Sequence, residues 1–190
     1  EFLGYRAKRA PTDQDLVNQL PLIPQALDTA GIKNFAIRGF EADDLIATIA
    51  HRSLRKRSPI THIPLISHIT IITGDKDLMQ LVNQKINLFV PVRGLSETKL
   101  YDPLEVKNKL GVAPNQVVDL KALMGDMSDN YPGVAGIGPK TAINLLTTYG
   151  TLDNVYKSLS DLSHLNGVSD LVKSRLITDR DNAYLSQKLA

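Results

Sequence analysis

Seven acidic residues fall into three tight groups that lie far apart along the chain. They are Glu41, Asp43 and Asp44, then Asp75 and Asp77, then Asp126 and Asp129. Carboxylates that gather in a small volume repel one another unless cations neutralise them. Hard oxygen ligands of this kind suit Mg²⁺ or Mn²⁺ and not zinc. If the three groups meet in the fold, the sequence predicts a site for two or more divalent cations.

Each acidic group also has an ordinary structural explanation. Acids are favoured in the first turn of a helix, Asp is a frequent N-cap, and turns are rich in Asp, Ser and Asn. The groups at 41–44 and 75–77 nevertheless both follow predicted strands, and strand-to-helix turns of one parallel sheet lie along the same edge. This matched position favours the metal site. The turn at 126–129 would supply a second wall, although it lacks the central Gly and late Glu of an EF-hand.

A glycine-rich segment, GVAGIGPKT, occupies residues 133–141. It is not a phosphate-binding P-loop, because that motif needs Gly directly before Lys, and Pro139 intervenes here. The segment is more typical of a helix–hairpin–helix, in which glycines make the tight turn and Pro139 begins the next helix. The free N–H groups at that helix start would face a nucleic-acid phosphate, with Lys140 adding charge. A plain helix–turn–helix connection is the alternative.

The elements that must position these residues alternate in the first half of the chain. Apolar spacing predicts a helix at 13–30, interrupted near Pro21 and Pro24, and a second helix from about Glu41. Strands are predicted at 35–37, at 68–73 (HITIIT, continuous and buried) and at 86–90, with a helix at 75–82. Strand and helix alternation is the pattern of a parallel sheet covered by helices. Residues 51–67, basic and broken by prolines, are interpreted as a loop insertion.

The second half is predicted to be helical. Asp102, Pro103 and Glu105 form an N-cap, first-turn proline and capping-box acid, and Pro114 begins a helix that runs through Met124. Helices then continue after the glycine-rich segment. We therefore expect a parallel α/β domain at 1–95, with 1–12 as a basic opening segment, and a helical module at 96–190.

Composition and charge exclude several classes of protein. The chain has no cysteine, which excludes disulfides and thiol chemistry, and no apolar stretch approaches the ~20 residues of a membrane span. The net charge is +2, but without the seven grouped acids 13 acidic residues remain against 22 lysines and arginines. A basic body around an acidic centre suits a protein that attracts a polyanion and holds cations. We expect a cytoplasmic protein with no membrane partner.

Four sequence runs, in this order, resemble the 5′–3′ exonuclease domain of bacterial DNA polymerase I and its flap-endonuclease relatives. They are YRAKRAP at 5–11, GFEADDLIATIA at 39–50, ITGDKDLMQLV at 72–82 and LMGDMSDNYPGVAGIGPKTAINLL at 123–146. The resemblance implies a PIN-like sheet followed by a helix–three-turn–helix DNA-binding module. It also implies hydrolysis of DNA phosphodiesters at 5′ ends and flaps, in replication and repair, by two metal ions roughly 3.5–4 Å apart.

The resemblance carries functional roles onto particular residues. Metal-ligand roles fall on Glu41, Asp43, Asp44, Asp75, Asp77, Asp126 and Asp129; catalytic roles fall on Asp43, Asp44, Asp75, Asp126 and Arg6; DNA contacts fall on Tyr5, Arg6, Arg9, Gly136, Gly138, Lys140 and Thr141. The implied cofactors are two or more Mg²⁺ or Mn²⁺ ions, with K⁺ at the hairpin. The implied setting is a monomer near the bacterial nucleoid, joined to a polymerase domain in its parent protein.

Three departures from the family pattern leave alternatives open. Two early strands that end in Asp are absent before the basic opening segment, Arg6 stands where the family usually has Lys, and the insertion at 51–67 is long. We expect a chain shortened at both ends. The alternatives are a DNA-binding fragment that cannot cut, a PIN-type ribonuclease, and a scaffold whose acids are merely solvated.

Overall fold

The computed structural model describes residues 10–55, 65–94, 96–160 and 168–190. Two short helices open the described chain, α1 (Gln14–Gln19) and α2 (Leu22–Thr29), with the break at Leu20 and Pro21. The interruption predicted at Pro21 is thus confirmed, since a proline there removes a backbone donor, whereas Pro24 lies in the first turn of α2 and does not interrupt it. Asp13 caps α1 by accepting a hydrogen bond from the Asp15 N–H at 2.8 Å.

The strand predicted at 35–37 is wrong. Those residues have no regular structure, and the side chains of Phe35 and Ile37 are 68% and 54% exposed. A strand needs a neighbour to bond its backbone groups, and no strand in the described ranges pairs with this segment. Helix α3 (Ala42–Arg55) follows, so the predicted loop at 51–67 is wrong for its first five residues, which are helical. Residues 56–64 lie outside the described part of the chain.

Three strands form a mixed sheet in the order β1-β2-β3. They are β1 (Ile69–Ile72), β2 (Ile86–Arg93) and β3 (Glu97–Tyr101). Strands β1 and β2 are parallel, as predicted, whereas β2 and β3 are antiparallel and form a hairpin that the sequence analysis did not predict. The expectation that β1 is buried is also wrong, because only Ile71 is buried and Ile72 is 72% exposed.

The connections around the sheet follow the local sequence. After β1 the chain makes a short 3-10 helix (Asp77–Leu81) in place of the predicted helix at 75–82. Helix α4 (Pro103–Leu110) begins as predicted: the Asp102 carboxylate accepts from the Glu105 N–H at 2.8 Å, and Pro103 lies at the first helical position. A 3-10 turn (Pro114–Gln116) then leads into α5 (Val117–Met124).

Helices make up the rest of the described chain. They are α6 (Pro139–Tyr149), α7 (Leu152–Ser160), α8 (Asp170–Thr178) and α9 (Arg180–Leu189). Helix α5 packs against α6 and α9 around a core that includes Leu123, Leu146 and Leu176. A second core joins the sheet to α3 and α4 through residues such as Met79 and Val106. None of the helices described is long and apolar enough to cross a membrane.

Candidate metal centre and nucleic-acid interface

Three carboxylates from two distant segments meet at one place. Asp77 begins the 3-10 helix that follows β1, while Asp126 and Asp129 lie in the connection between α5 and α6. One oxygen of each carboxylate lies within 4.8 Å of one oxygen of the other two. Asp129 is buried at 3% exposure, and Asp77 and Asp126 are half-buried. A donor set made only of carboxylate oxygens fits a hard divalent cation.

The connection after α5 is folded so that its acids point to this place. Asp126 and Tyr131 exchange backbone hydrogen bonds of 3.2 and 2.8 Å, which close a short loop. Within the loop, Ser128 donates to the Asp126 Oδ1 from both its N–H (2.8 Å) and its hydroxyl (2.6 Å). The Tyr131 hydroxyl donates to the Leu189 carbonyl at 2.7 Å and so ties the loop to α9. The orientation of the Asp126 carboxylate is thus fixed before any ion binds.

Lys121 supplies the positive charge at this cluster. Its Nζ lies 2.5 Å from the Asp77 Oδ2 and 2.8 Å from the Asp126 Oδ2, and its side chain is 14% exposed. Burial would raise the pKa of Asp126, but hydrogen bonds from Lys121 and Ser128 outweigh it and hold that pKa at about 2. Burial works against the charge of Lys121 as well, yet the hydrogen bonds to Asp126 and Asp77 raise the pKa of its ammonium.

The other predicted metal ligands lie at the start of α3 and at the end of β1. Glu41, Asp43 and Asp75 line a cleft of about 190 Å³ together with Thr73 and Leu78. Leu78 also lines a second cleft of about 400 Å³, which Glu41 and Asp43 share with Asp44, Gln80 and Lys188 among others. The structure therefore brings Glu41 and Asp43 beside Asp75. The predicted reason for this proximity, a strand before each acidic group, holds only for the group that follows β1, because no described strand precedes Glu41.

Asp75 connects these clefts to the three-carboxylate cluster. Its Oδ1 accepts a hydrogen bond of 2.9 Å from the N–H of Asp77, and its own N–H donates to the Thr73 hydroxyl at 2.9 Å. At the start of α3, the Asp44 carboxylate accepts from the Glu41 N–H at 3.1 Å, so Asp44 also acts as a helix-capping residue. The seven predicted ligands therefore form two groups and not a single cluster: Glu41, Asp43, Asp44 and Asp75 line the clefts, and Asp77, Asp126 and Asp129 form the three-carboxylate cluster.

The glycine-rich segment forms the predicted hairpin between two helices. Gly138 is the N-cap of α6 and Pro139 its first residue, and within the described chain no side chain bonds to the first N–H groups of this helix. Gly138 and Lys140 are exposed and Thr141 is half-buried, and together with Pro139 they line an open depression. Donors and positive charge at an uncapped helix start are suited to an anion. The predicted DNA contacts Tyr5, Arg6 and Arg9 lie outside the described residues.

Family models match the chain along its whole length. The model described as "5′-3′ exonuclease, N-terminal resolvase-like domain" matches residues 1–111, and "5′-3′ exonuclease, C-terminal SAM fold" matches residues 112–190. The chain belongs to the 5′–3′ exonuclease family. The family resemblance expected from the four sequence runs is therefore confirmed, and this is a family of metal-dependent nucleases.

Two relatives in the 5′–3′ exonuclease family show how much of a longer protein the matched region makes up. A 5′-3′ exonuclease of Bacillus subtilis is 37% identical over 184 residues, which cover 94% of this chain and 59% of the relative. The DNA polymerase I of Lactococcus lactis subsp. cremoris is 36% identical over 189 residues, which cover 100% of this chain and 20% of the relative. The chain thus spans about a fifth of the length of the polymerase relatives that it matches.

A solved structure supports the fold of this 5′–3′ exonuclease family member. The T5 D15 protein co-crystallised with metal ions superposes with a TM-score of 0.73 at 26% identity, covering 97% of this chain and 64% of that protein. The predicted fold class, a PIN-like sheet with flanking helices followed by a helical module, is confirmed by this likeness and by the resolvase-like and SAM-like family models.

Lys121, whose ammonium offsets part of the negative charge of the cluster, was not among the predicted site residues. It lies five residues before Asp126 in the last turn of α5, where a basic side chain is ordinarily explained by the helix dipole. Only the fold shows that its ammonium reaches Asp77, a residue 44 positions earlier in the chain. No local pattern connects the two residues, so no signal in the sequence pointed to this ion pair.

Proposed function

We propose that this chain carries the catalytic and DNA-gripping parts of a Mg²⁺-dependent 5′ nuclease that hydrolyses DNA phosphodiesters at 5′ ends and flaps. One observation carries the proposal. Carboxylate oxygens of Asp77, Asp126 and Asp129, from two distant segments, lie within 4.8 Å of one another. Two of the three lie in the same α5–α6 connection that forms the hairpin. A cation site and an anion-binding helix start are thereby built into one loop.

The residues present fit a hard divalent cation. The donors are carboxylate oxygens, one of them on a buried side chain, and there is no thiol in the chain. Mg²⁺ accepts a few carboxylates together with waters and substrate phosphate oxygens, which suits a half-buried cluster that opens to solvent. When bound, such ions lower the pKa of a water and neutralise charge on the leaving 3′ oxygen. Mn²⁺ shares this ligand preference and is the natural substitute.

The seven acids are proposed to act as two neighbouring sets of ligands. Asp77, Asp126 and Asp129 hold one position, while Glu41, Asp43, Asp44 and Asp75 line the adjoining clefts and hold the other. The Asp75 carboxylate accepts a hydrogen bond from the Asp77 N–H and so fixes the position of one set of ligands relative to the other. We propose Asp43, Asp44, Asp75 and Asp126 as the acids closest to the reacting phosphate.

The hairpin is proposed to grip a phosphate of the duplex without contact to the bases. The N–H groups that follow Gly138 and the charge of Lys140 are suited to phosphate oxygens, and Thr141 adds a hydroxyl donor. Contacts of this kind fix register along the strand and weaken steeply with salt. Gly136 shapes the turn, and K⁺ is a proposed additional ion there. Tyr5, Arg6 and Arg9 are proposed to meet the scissile strand from the opening segment.

The relatives suggest a wider setting for this site. Because the polymerase relatives are five times longer than the matched region, we propose that the parent protein also carries a polymerase domain. We further propose a role in replication and repair, in a monomer near the nucleoid in the cytoplasm. We also propose that the helical module predicted at 96–190 holds the DNA, while the metal centre is shared with the sheet region, since Asp77 meets Asp126 and Lys121 there.

Cleavage of a labelled 5′-flap DNA with and without Mg²⁺ tests the proposal. We expect release of the flap only with Mg²⁺ or Mn²⁺, and loss of at least a hundredfold in rate for Asp126→Asn and Asp75→Asn, because removing a ligand weakens the metal site. Asp170→Asn is the matched control, since Asp170 is an exposed acid on α8 that contacts Lys173. Its rate should stay within about twofold, as for surface substitutions in general.

The alternatives predict different outcomes of this cleavage assay and of a Mg²⁺ titration of the same variants. Tight binding of flap DNA without any cleavage favours a DNA-holding fragment. Preferential cleavage of single-stranded RNA favours a PIN-type ribonuclease. Unchanged Mg²⁺ affinity in both Asn variants contradicts the metal centre and favours solvated acids. Because Mg²⁺ binding is measured separately from cleavage, the metal site and the activity are judged independently.

A further inference from the structure

Helices α8 and α9 and the residue between them, Asp179, make three polar contacts with the backbone of the hairpin. The Arg175 guanidinium donates to the Gly136 carbonyl at 2.9 Å. The Asp179 carboxylate accepts from the Ala135 N–H at 2.9 Å, and the Ser186 hydroxyl accepts from the Gly133 N–H at 2.9 Å. These residues are about 40 to 50 positions from the hairpin in sequence. Three contacts to residues 133–136 restrict the conformation of this part of the hairpin.

The hairpin is built to receive these contacts. Gly136 has a φ of +75°, and a Cβ at that position would overlap the Arg175 guanidinium. Ser186 is completely buried, so its bond to Gly133 is shielded from water. Asp179 lies between the two helices, and its other carboxylate oxygen accepts from the Asn182 side chain at 3.1 Å. Both oxygens of that carboxylate are therefore held in place.

We propose that Arg175 and Asp179 are positioning residues, which clamp the hairpin in the shape that binds a DNA phosphate. This inference rests on the proposed function. A segment with three glycines between residues 133 and 138 loses much conformational entropy when it becomes ordered. A hairpin that is already ordered binds its ligand without that cost, which is the basis of preorganisation. The clamp therefore acts on affinity through the hairpin and not by touching DNA.

Replacement of Asp179 tests this proposal, because the loss of its charge and the loss of its hydrogen bond to Ala135 predict opposite changes in DNA affinity. Removing an acid near a polyanion should tighten binding if only charge matters. Removing the acceptor of the Ala135 N–H should weaken binding if the clamp matters. We expect Asp179→Ala to raise the Kd for duplex DNA about tenfold, the factor that corresponds to one lost hydrogen bond to a charged group. Asp179→Asn keeps an acceptor oxygen and should restore binding.

Two measurements separate positioning from general loss of structure. The KM for flap DNA should rise with the Kd, while kcat at saturating DNA and the Mg²⁺ affinity stay unchanged. Asn182→Ala is the matched control, since it removes the Asn182 contact of Asp179 and leaves the Ala135 contact in place. If Asp179→Ala does not fold, Arg175→Met tests the same proposal. The clamp predicts weaker DNA binding with an unchanged salt slope, which is the slope of log K against log salt. A direct phosphate contact predicts a salt slope lower by about one. Lys173→Met is its control on the same helix.

The outcomes distinguish this inference from the proposed function. If Asp179→Ala binds duplex DNA as tightly as the unaltered chain or more tightly, while Lys140→Ala weakens binding, the clamp is wrong and the proposed function stands. If Arg175→Met lowers the salt slope, Arg175 is a DNA ligand and not a positioning residue. If the unaltered chain does not bind duplex DNA, the proposed grip fails, and the clamp fails with it because the hairpin then has no phosphate to hold.

Discussion

The ammonium of Lys121 lies 2.8 Å from the carboxylate of Asp126 and, on its other side, 2.5 Å from that of Asp77. A single cation of the protein thus bridges two of the three clustered acids from separate segments. This arrangement neutralises part of the repulsion that the cluster would otherwise suffer. The same ammonium also opposes any metal ion that approaches those carboxylates. Lys121 therefore stabilises the fold, and it would weaken metal binding at the proposed site.

The first prediction concerns the two effects of Lys121, on the stability of the fold and on metal affinity. Lys121→Met should lower the free energy of unfolding without metal by on the order of 1–3 kcal/mol, because two half-buried carboxylates lose their hydrogen-bonded partner. It should also tighten Mg²⁺ binding, since a competing positive charge is removed. Calorimetric titration with Mg²⁺ and thermal unfolding in EDTA measure the two effects. Lys107→Met, an exposed lysine on α4, is the control; weaker Mg²⁺ binding in Lys121→Met would contradict the competition.

The second prediction is a pH dependence of stability in the metal-free protein. The pKa of Asp126 is about 2 in the folded chain against an ordinary value of 3.8. A lowered folded pKa contributes stability that is complete above about pH 4 and is lost as the pH falls through about 2. Asp126→Asn should therefore be less stable than the unaltered chain by on the order of 1–2 kcal/mol at neutral pH.

Denaturant unfolding of both proteins at several pH values checks this prediction. The stability difference between them should shrink steadily between about pH 4 and pH 2, because both side chains are then uncharged. Asp170→Asn, at an exposed site, should show no such convergence. A difference that stays constant down to pH 2 would mean that Lys121 and Ser128 do not set the charge of Asp126.

The third prediction concerns Asp129, the most buried acid of the cluster. This residue is 3% exposed. Burial of a charged carboxylate costs free energy unless the charge is paired or binds a metal ion. Asp129→Asn keeps the shape of the side chain but removes the charge, so Mg²⁺ affinity should fall by about 10- to 100-fold, as for other changes at metal sites. Stability in EDTA should change little, because one source of repulsion is lost as well. Unchanged Mg²⁺ affinity would remove Asp129 from the proposed ligands.

Local sequence signals were sufficient where a feature depends on neighbouring residues. The cap at Asp102, the break at Pro21 and the helix start at Pro139 are each set within four residues, and all three were predicted correctly. The parallel pairing of β1 with β2 was also predicted, because their apolar β-branched runs are separated by a turn and a helix-like segment. Features of this kind depend on backbone chemistry that is the same in any fold.

Features that depend on distant residues were missed. The segment at 35–37 has strand-like residues, but no described strand pairs with it, so propensity alone gave the wrong answer. The contact of Lys121 with Asp77 and that of Arg175 with Gly136 join residues more than 35 positions apart. The acids that we propose as metal ligands were selected because they occur in groups, whereas single residues that orient them leave no pattern in the sequence.

The last prediction concerns the salt dependence of DNA binding. Lys140 is exposed at the start of α6 and lines the open depression together with Gly138. If its ammonium neutralises one phosphate, Lys140→Ala should reduce the slope of log K against log salt by about one and weaken binding equally for all sequences. Lys157→Ala, an exposed lysine on α7, should leave the slope unchanged and serves as the control. Fluorescence anisotropy at four salt concentrations gives both slopes, and equal slopes for the two variants would place the phosphate contact elsewhere on the chain.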